Sequence, residues 1–167
     1  MVQTPHQGVS GLKTERSLVM VKPDGVHRGL VGEVIGRIES KGFTIRALKM
    51  LRMDEKMAKA HYSEHEGKPF FSDLAGFITS GPVVAMVIEG DGCIEAIRMI
   101  MGRTDPKESP PGTIRGDLAV HMSRNVVHGS DSGKSAEREI SLFFGPDEMV
   151  DYDRTTDDWV YPERSDI

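Results

Sequence analysis

The sequence predicts an α+β fold in which helices cover a single sheet. Short apolar runs with the length and alternation of strands are interspersed with segments of helical apolar spacing. No segment of the chain repeats, and no linker rich in glycine, proline and serine divides it. We therefore expect one domain over residues 15–167.

Strand and helix patterns alternate along the first half of the chain. The apolar run from Ser17 to Pro23 predicts a first strand, and the turn residues of DGVHRG follow it. Apolar residues recur at helical spacing from Leu30 to Lys41, and Gly42 provides a stop. The segment from Phe43 to Leu51 alternates as a second strand. Asp54 then suits the N-cap of a helix over EKMAKAHYSEHEG.

The second half completes the pattern. Pro69 opens a short predicted helix through FFSDLAGFI, Pro82 to Gly90 forms the third strand, and CIEAIRMIMG has helical spacing. The aperiodic stretch from Arg103 to Gly116 predicts a long functional loop. DLAVHMS (residues 117–123) predicts the fourth strand, and SAEREISLFF predicts the last helix before an acidic tail. The order is that of a ferredoxin-like βαββαβ sandwich with a four-stranded antiparallel sheet.

Composition excludes several classes of protein. A net charge of -5 argues against a nucleic-acid partner or an anionic membrane surface. Cys93 is the only cysteine, which rules out an intramolecular disulfide and suits a reducing cytoplasm. No apolar run is long enough to span a bilayer, and the N-terminus lacks the apolar centre of a signal peptide. We expect a cytoplasmic protein whose residues 1–14 form a disordered leader.

The stretch NVVHGSDSGKS, residues 125–135, has two incompatible interpretations. A phosphate-binding P-loop requires four residues between its first glycine and the Gly-Lys-Ser ending, but only three separate Gly129 from Gly133. The preceding residues are also interrupted by Arg124 and Asn125, unlike a buried parallel strand. A second glycine cluster, at residues 25–32, misses the spacing of a dinucleotide-binding motif.

The alternative interpretation makes His128 a nucleophile. Such a histidine needs a group that fixes its tautomer, and Glu139, on the following helix, could accept a proton from one ring nitrogen. Lys22, Arg98 and Arg115 could converge as cations on a triphosphate. Each residue taken alone has an ordinary structural explanation, so the interpretation depends on the whole set.

That set resembles the nucleoside diphosphate kinase family. The motifs that carry the resemblance are VKPDGVHRGLVGEVI, HY, KPFF, SGPVVAMV, PGTIRGD, RNVVHGSDS and SAEREI, in this order, and the match runs from Glu15 to Glu163. The resemblance implies that a γ-phosphate passes from a nucleoside triphosphate to a nucleoside diphosphate by a ping-pong mechanism through a phosphohistidine. It also implies that Mg²⁺ is carried on the nucleotide phosphates, with no direct protein ligand.

The resemblance also assigns roles to individual residues. His128 matches the nucleophile, Glu139 the carboxylate bonded to its other ring nitrogen, and Ser130 a hydroxyl next to the reaction. Lys22 and Tyr62 match residues that take part in catalysis as well as in binding. The residues that match the family's nucleotide contacts are Lys22, Tyr62, Phe70, Arg98, Thr104, Arg115 and Asn125. A base that stacks on Phe70 would make few hydrogen bonds through its own edge, so low base selectivity is expected.

Assembly and an alternative function also follow from the resemblance. It implies a homo-oligomer, as a hexamer, tetramer or dimer, whose subunits meet at the Arg103 to Gly116 loop and the C-terminal tail. The alternative is a catalytically silent nucleotide-binding regulatory protein on the same fold. The presence of every matched residue argues against that alternative.

The remaining histidines have ordinary interpretations. His61 and His65 stand at i and i+4 and could hold a metal ion, but without a third ligand a solvated helix face is expected. His27 is expected at the surface, and His121 could be a core residue of the predicted fourth strand. Lys134 is expected to be exposed near the start of the last helix, which makes the Gly-Lys-Ser an accidental match.

Overall fold

The computed structural model describes residues 14–161. The expected leader lies outside them except for Thr14, which already begins a strand. The strands are β1 (Thr14–Val21), β2 (Thr44–Arg52), β3 (Pro82–Asp91) and β4 (Val127–Gly129). The helices are α1 (Pro23–His27), α2 (Val31–Ser40), α3 (Glu55–His61), α4 (Phe71–Thr79), α5 (Cys93–Met101), α6 (Ile114–Leu118), α7 (Gly133–Phe143) and α8 (Asp157–Val160).

The four strands form one antiparallel sheet in the order β2-β3-β1-β4. This order confirms the predicted ferredoxin-like α+β architecture. Strand β1 is central, and its side chains alternate between two cores: Val19 and Val21 face α2 and α5, whereas Leu18 and Met20 face α3, α4 and α7. Because both faces are covered there, the second half of β1, residues 18–21, is a continuous apolar run in the sequence.

The predicted fourth strand at residues 117–123 is wrong. Strand β4 lies instead at Val127–Gly129, and Asp117 and Leu118 end helix α6. Val120 is 85% exposed and Met122 is 57% exposed, so the alternating apolar residues of this stretch do not enter the core. His121 is exposed as well and forms an isolated bridge with Arg124, not a core contact. A three-residue strand is too short for alternation to reveal.

Two segments expected to be irregular contain short helices. The turn after β1 includes α1, with Pro23 at its first position, where a missing N–H costs little. The expected loop from Arg103 to Gly116 ends inside α6, whose first turn is capped by the Thr113 hydroxyl accepting from Gly116 N–H. The predicted helix after Asp54 also ends earlier than expected, at His61.

Helix caps explain two sequence features. Asp54 caps α3 by accepting from Met57 N–H at 2.7 Å, as predicted. Ser132 and Ser135 form a reciprocal capping box at the start of α7. Gly133 and the exposed Lys134 therefore occupy the first turn of that helix. The Gly-Lys-Ser ending serves as a helix start, in agreement with the rejection of a P-loop.

The C-terminal segment packs against the edge formed by β2. Arg154 donates hydrogen bonds to the carbonyls of Gly42 (2.5 Å) and Phe43 (3.0 Å) and pairs with Asp157 at 2.7 Å. Val150 N–H donates to the carbonyl of Arg46 in β2 at 2.8 Å. The described part of the acidic tail, up to residue 161, thus packs against the domain. Among the described helices, none has the length and apolar character needed to cross a membrane.

Replacing Gly25 by alanine should destabilise the protein by about 1–3 kcal/mol, because a Cβ there would lie 2.7 Å from Val21 Cγ1 and 3.0 Å from the Val126 carbonyl oxygen. Gly32, in α2, has open space around it, so Gly32→Ala should leave the stability unchanged or raise it by up to ~1 kcal/mol. Urea unfolding of both variants checks the contrast. Equal stabilities would show that the packing around Gly25 is not tight.

Candidate functional site

A strained turn leads into the strand that carries His128. His128 is the middle residue of β4 and pairs with Met20 of β1. Val127 N–H donates to the Asn125 carbonyl at 2.8 Å, which closes a three-residue turn around Val126. Val126 has a φ of 69°, a left-handed conformation that β-branched residues rarely adopt. Surrounding contacts must therefore hold this turn in place.

Those contacts come from the end of β1 and the start of α1. Val126 N–H donates to Asp24 Oδ2 at 2.9 Å, and the Val126 carbonyl accepts from Lys22 N–H at 2.8 Å. The Val126 side chain is fully buried. Both peptide groups of the strained residue are thus tied to one neighbouring segment, which fixes the positions of Asn125 and His128.

A buried hydrogen-bond chain orients the His128 ring. His128 Nε2 lies 3.1 Å from Glu139 Oε2, and the Ser130 hydroxyl donates to the same oxygen at 2.6 Å. Leu18 N–H in turn donates to Ser130 Oγ at 3.1 Å. Glu139, on α7, is only 4% exposed. Helix α7 and strands β1 and β4 therefore meet at one carboxylate.

The environment of Glu139 favours its ionised form. Burial opposes ionisation, but hydrogen bonds from His128 and Ser130 outweigh it, and the pKa of Glu139 falls below its ordinary value. An ionised carboxylate can only accept hydrogen bonds, so the proton between the two groups belongs to Nε2. In the neutral ring, Nδ1 then carries the lone pair.

Lys22 and Arg115 meet at Asn125. Lys22 Nζ donates to Asn125 Oδ1. Arg115 donates to three backbone carbonyls, those of Asn125 (3.3 Å), Gly102 (3.0 Å) and Val127 (2.8 Å). A guanidinium has five N–H donors, so these bonds fix the group while leaving donors free. Both cationic side chains are nearly buried, with exposures of 7% for Lys22 and 8% for Arg115.

Burial and like charge perturb both cations. Burial lowers the pKa of Lys22 to about 8; Asp24 opposes this shift, and Arg115 and Arg124 add to it. Burial, followed by the charge of Arg98, lowers the pKa of Arg115 to about 10. Both groups are still mainly charged at neutral pH. The structure therefore brings positive charges close together, and a bound anion would reduce the repulsion between them.

Aromatic side chains extend from the site to the surface. Tyr62 is buried immediately after α3, and burial raises the pKa of its phenol. Its ring lies 6.2 Å from that of His65, which lies 5.7 Å from that of Phe70. Phe70 is 50% exposed. It therefore offers a ring face on which a planar group could stack.

The expectation that His61 lies on a solvated helix face is wrong. His61 is 3% exposed, and its ring centroid lies 4.7 Å from that of His128, with Tyr62 and Phe143 also in contact. Burial lowers its pKa to about 3, so the ring is neutral. The spacing of Ala58, His61 and Tyr62 at i, i+3 and i+4 was a signal for this buried face.

The other expected site residues lie around this centre. Asn125 Nδ2 donates to the Thr104 carbonyl at 2.8 Å, while the residue Thr104 itself is exposed. Arg98 is exposed on α5 and acts on Arg115 through its charge. Sequence reasoning assigned no role to Asp24, and none to Arg124, whose guanidinium carbon lies 4.0 Å from the Phe77 ring centroid.

One group of side chains has the composition of a metal site. His61, His128 and Glu139 each offer a ligand atom, and the three atoms lie within 4.8 Å of one another. Two imidazoles and one carboxylate differ from the all-oxygen coordination that Mg²⁺ prefers.

Comparison with known proteins identifies the family. A family model described as nucleoside diphosphate kinase matches residues 15–149. This chain belongs to the nucleoside diphosphate kinase family. It is 61% identical over 150 residues to the nucleoside diphosphate kinase of Archaeoglobus fulgidus, covering 90% of this chain and 99% of the relative. A Listeria monocytogenes nucleoside diphosphate kinase is 58% identical over 146 residues, covering 87% and 99%.

Solved structures of the nucleoside diphosphate kinase family share the fold. The halophilic enzyme of Halobacterium salinarum, solved in complex with CDP, has a TM-score of 0.86 and 52% identity over 88% of this chain and 98% of its own. A family protein from Babesia bovis has a TM-score of 0.86 and 46% identity, covering 88% and 99%. The resemblance inferred from the motifs is therefore confirmed, and the chain is an enzyme of this family.

Lys22 should make the stability of the protein depend on pH. Its folded-state pKa of about 8 lies below the ordinary 10.5, so the folded state binds this proton more weakly than the unfolded chain. The resulting penalty is complete below about pH 8 and disappears as the pH rises toward 10.5. Over this window, the wild type should gain stability relative to Lys22→Met in urea unfolding. A constant difference would contradict the shift.

Proposed function

We propose that this protein acts as a nucleoside diphosphate kinase through a phosphohistidine formed at Nδ1 of His128. The hydrogen bond between Nε2 and Glu139 carries the proposal, because it holds the proton away from Nδ1. The Ser130 hydroxyl donates a second hydrogen bond to the same carboxylate oxygen. This arrangement supplies the fixed tautomer and the fixed orientation that a nucleophilic imidazole requires.

The reaction proceeds in two matched halves. Nδ1 attacks the γ-phosphorus of a nucleoside triphosphate, an N–P bond forms, and the bond to the bridging oxygen of the leaving diphosphate breaks. The ring becomes cationic as its lone pair is used, and ionised Glu139 stabilises that charge through Nε2–H. A nucleoside diphosphate then occupies the same pocket, and its terminal oxygen takes the phosphoryl group, which restores neutral His128.

Positioned cations contribute to the rate. Phosphoryl transfer passes through a loose transition state, so catalysis depends on orientation and on neutralising oxygen charge. Lys22 and Arg115 are fixed beside the strand of His128 by their contacts with Asn125, and Arg98 adds charge from α5. Tyr62, with a neutral phenol next to the His61 ring, completes the catalytic set.

Mg²⁺ fits this site as an ion bound to the nucleotide. The groups that converge beside Asn125 are cationic, and the candidate ligand cluster that includes His128 contains two imidazoles. Phosphate oxygens satisfy the oxygen preference of Mg²⁺. When bound, the ion neutralises phosphate charge, and the protein residues orient the metal–nucleotide complex.

Nucleoside recognition would involve few base-specific contacts. We assign the base to the exposed face of Phe70, and the sugar and phosphates to the region of Tyr62, Thr104 and Asn125. Stacking accepts any base, so low selectivity is expected. The CDP complex of the Halobacterium salinarum relative supports binding of nucleoside diphosphates. A catalytically silent regulatory role is not favoured, because the orienting contacts of His128 are intact.

Assembly and location are further parts of the proposal. We assign residues 15–167 to one catalytic domain of a homo-oligomer, a hexamer, tetramer or dimer. Edge strand β2 supports self-association, since Leu48 and Met50 are 49% and 61% exposed. A single cysteine, buried Cys93, supports a cytoplasmic location, and a net charge of -5 gives no support for a nucleic-acid partner.

Intact-mass measurement after incubation with Mg·ATP tests this function. The wild type should gain one acid-labile phosphoryl group, and a chase with GDP should remove it and form GTP. His128→Ala should gain none. Nucleotide binding without any mass gain in the wild type would refute the kinase mechanism, and a gain that persists in His128→Ala would place the nucleophile elsewhere.

Glu139→Gln should slow phosphorylation of His128 by roughly 10²-fold while nucleotide binding persists, because a neutral amide cannot stabilise the developing imidazolium. Rapid-quench phosphorylation and nucleotide titration separate the two effects. Glu137→Gln, an exposed carboxylate on the same helix, is the matched control and should retain the wild-type rate. An unchanged rate in Glu139→Gln would remove its orienting role.

A further inference from the structure

The buried imidazole of His61 has unused hydrogen-bonding capacity. Neither Nδ1 nor Nε2 has a hydrogen-bond partner among the residues the structure describes, although His61 is only 3% exposed. A buried polar group without a partner is costly, and most such groups are satisfied. The proposed phosphoryl transfer does not use these nitrogens. His61 nevertheless packs directly against His128, at a ring-centroid distance of 4.7 Å.

The neighbours of His61 complete a set of zinc ligands. One ligand atom each from His61, His128 and Glu139 lies within 4.8 Å of the other two, and His128 Nε2 and Glu139 Oε2 are 3.1 Å apart. Two imidazole nitrogens and a carboxylate oxygen, with one open position, form a recurring three-residue donor set for Zn²⁺. Bonds of about 2.0–2.2 Å to such ligands require only a modest closing of this cluster.

We propose that His61, His128 and Glu139 form an inhibitory Zn²⁺ site that locks the nucleophile in the wrong tautomer. The ion takes the place of the proton between Nε2 and Oε2 and accepts the Nε2 lone pair. The Nε2 proton leaves to solvent, and Nδ1 gains a proton from solvent, so the ring remains neutral. The Nδ1 lone pair becomes an N–H bond. His128 can then no longer attack phosphorus, although the pocket for nucleotide remains.

The ligand chemistry makes this inhibition selective. Mg²⁺ prefers oxygen ligands and does not compete for imidazole nitrogen, whereas Zn²⁺ binds both. The same enzyme would therefore be active with Mg²⁺ on its nucleotide and inactive when Zn²⁺ binds Nε2 of His128. The inhibitory consequence rests on the proposed function, but zinc binding by the three residues does not.

Equilibrium dialysis of nucleotide-free protein against Zn²⁺ tests the site. The wild type should bind one Zn²⁺ per chain, and His61→Phe and His61→Gln should bind it at least ~10-fold more weakly. His27→Ala, which removes an exposed histidine outside the cluster, is the matched control and should bind as the wild type does. Undiminished binding in both folded His61 variants, or no binding by the wild type, would overturn the proposal.

Nitrogen NMR of histidine-labelled wild type keeps the test independent of variant folding. Zn²⁺ should convert His128 from the Nε2–H to the Nδ1–H tautomer, and Nε2–H persisting at full occupancy would overturn the proposal. Protein loaded with Zn²⁺ and freed of excess ion should lose phosphorylation by Mg·ATP in proportion to occupancy, and a chelator should restore it. Phosphorylation of zinc-free protein reports on the proposed function separately.

Discussion

The hydrogen bond from His128 Nε2 to Glu139 is the interaction on which the rest of the site depends. It decides which ring nitrogen keeps a lone pair, and in the proposed mechanism it would stabilise the charge that the ring acquires on phosphorylation. The carboxylate is buried, so burial alone would favour its neutral form. Ser130, held by Leu18 N–H of the central strand, helps to keep it ionised. Three polar contacts thereby connect the central strand to Nε2 of the His128 ring.

The strain at Val126 has a physical rationale in the same geometry. The left-handed turn brings Asn125 to Lys22 and Arg115 while the next residues enter β4 with His128 paired to the central strand. Such a backbone conformation costs of order 1–3 kcal/mol and persists only where other contacts determine it. Hydrogen bonds to Val126 from the β1–α1 segment supply those contacts. The strained turn thus lowers the stability of the fold but places His128 beside the cationic side chains.

The sequence predicted the fold and the family because the relevant patterns were long or specific, and several of the side chains that it indicated lie together in the structure. Apolar alternation marked β3, helical spacing marked α2 and α5, and the ordered motifs indicated the family. Strand β4 was misplaced because three residues carry no periodicity and a nearby exposed stretch alternates by chance. The burial of His61 was missed because histidine is often exposed, although the position of His61 beside Tyr62 and one turn after Ala58 places it on the buried face of α3. The turn at Val126 had no signal, since valine ordinarily avoids that conformation.

The position of the phosphoryl group on the His128 ring tests the central claim most directly. Phosphorus and nitrogen NMR of histidine-labelled protein, after reaction with Mg·ATP at alkaline pH, distinguishes a phosphorus bonded to Nδ1 from one bonded to Nε2. With Glu139 holding Nε2–H, the phosphoryl group should be on Nδ1, and Nε2 should keep its proton. A phosphorus bonded to Nε2 would mean that the Glu139 hydrogen bond does not select the nucleophile, and would contradict the mechanism.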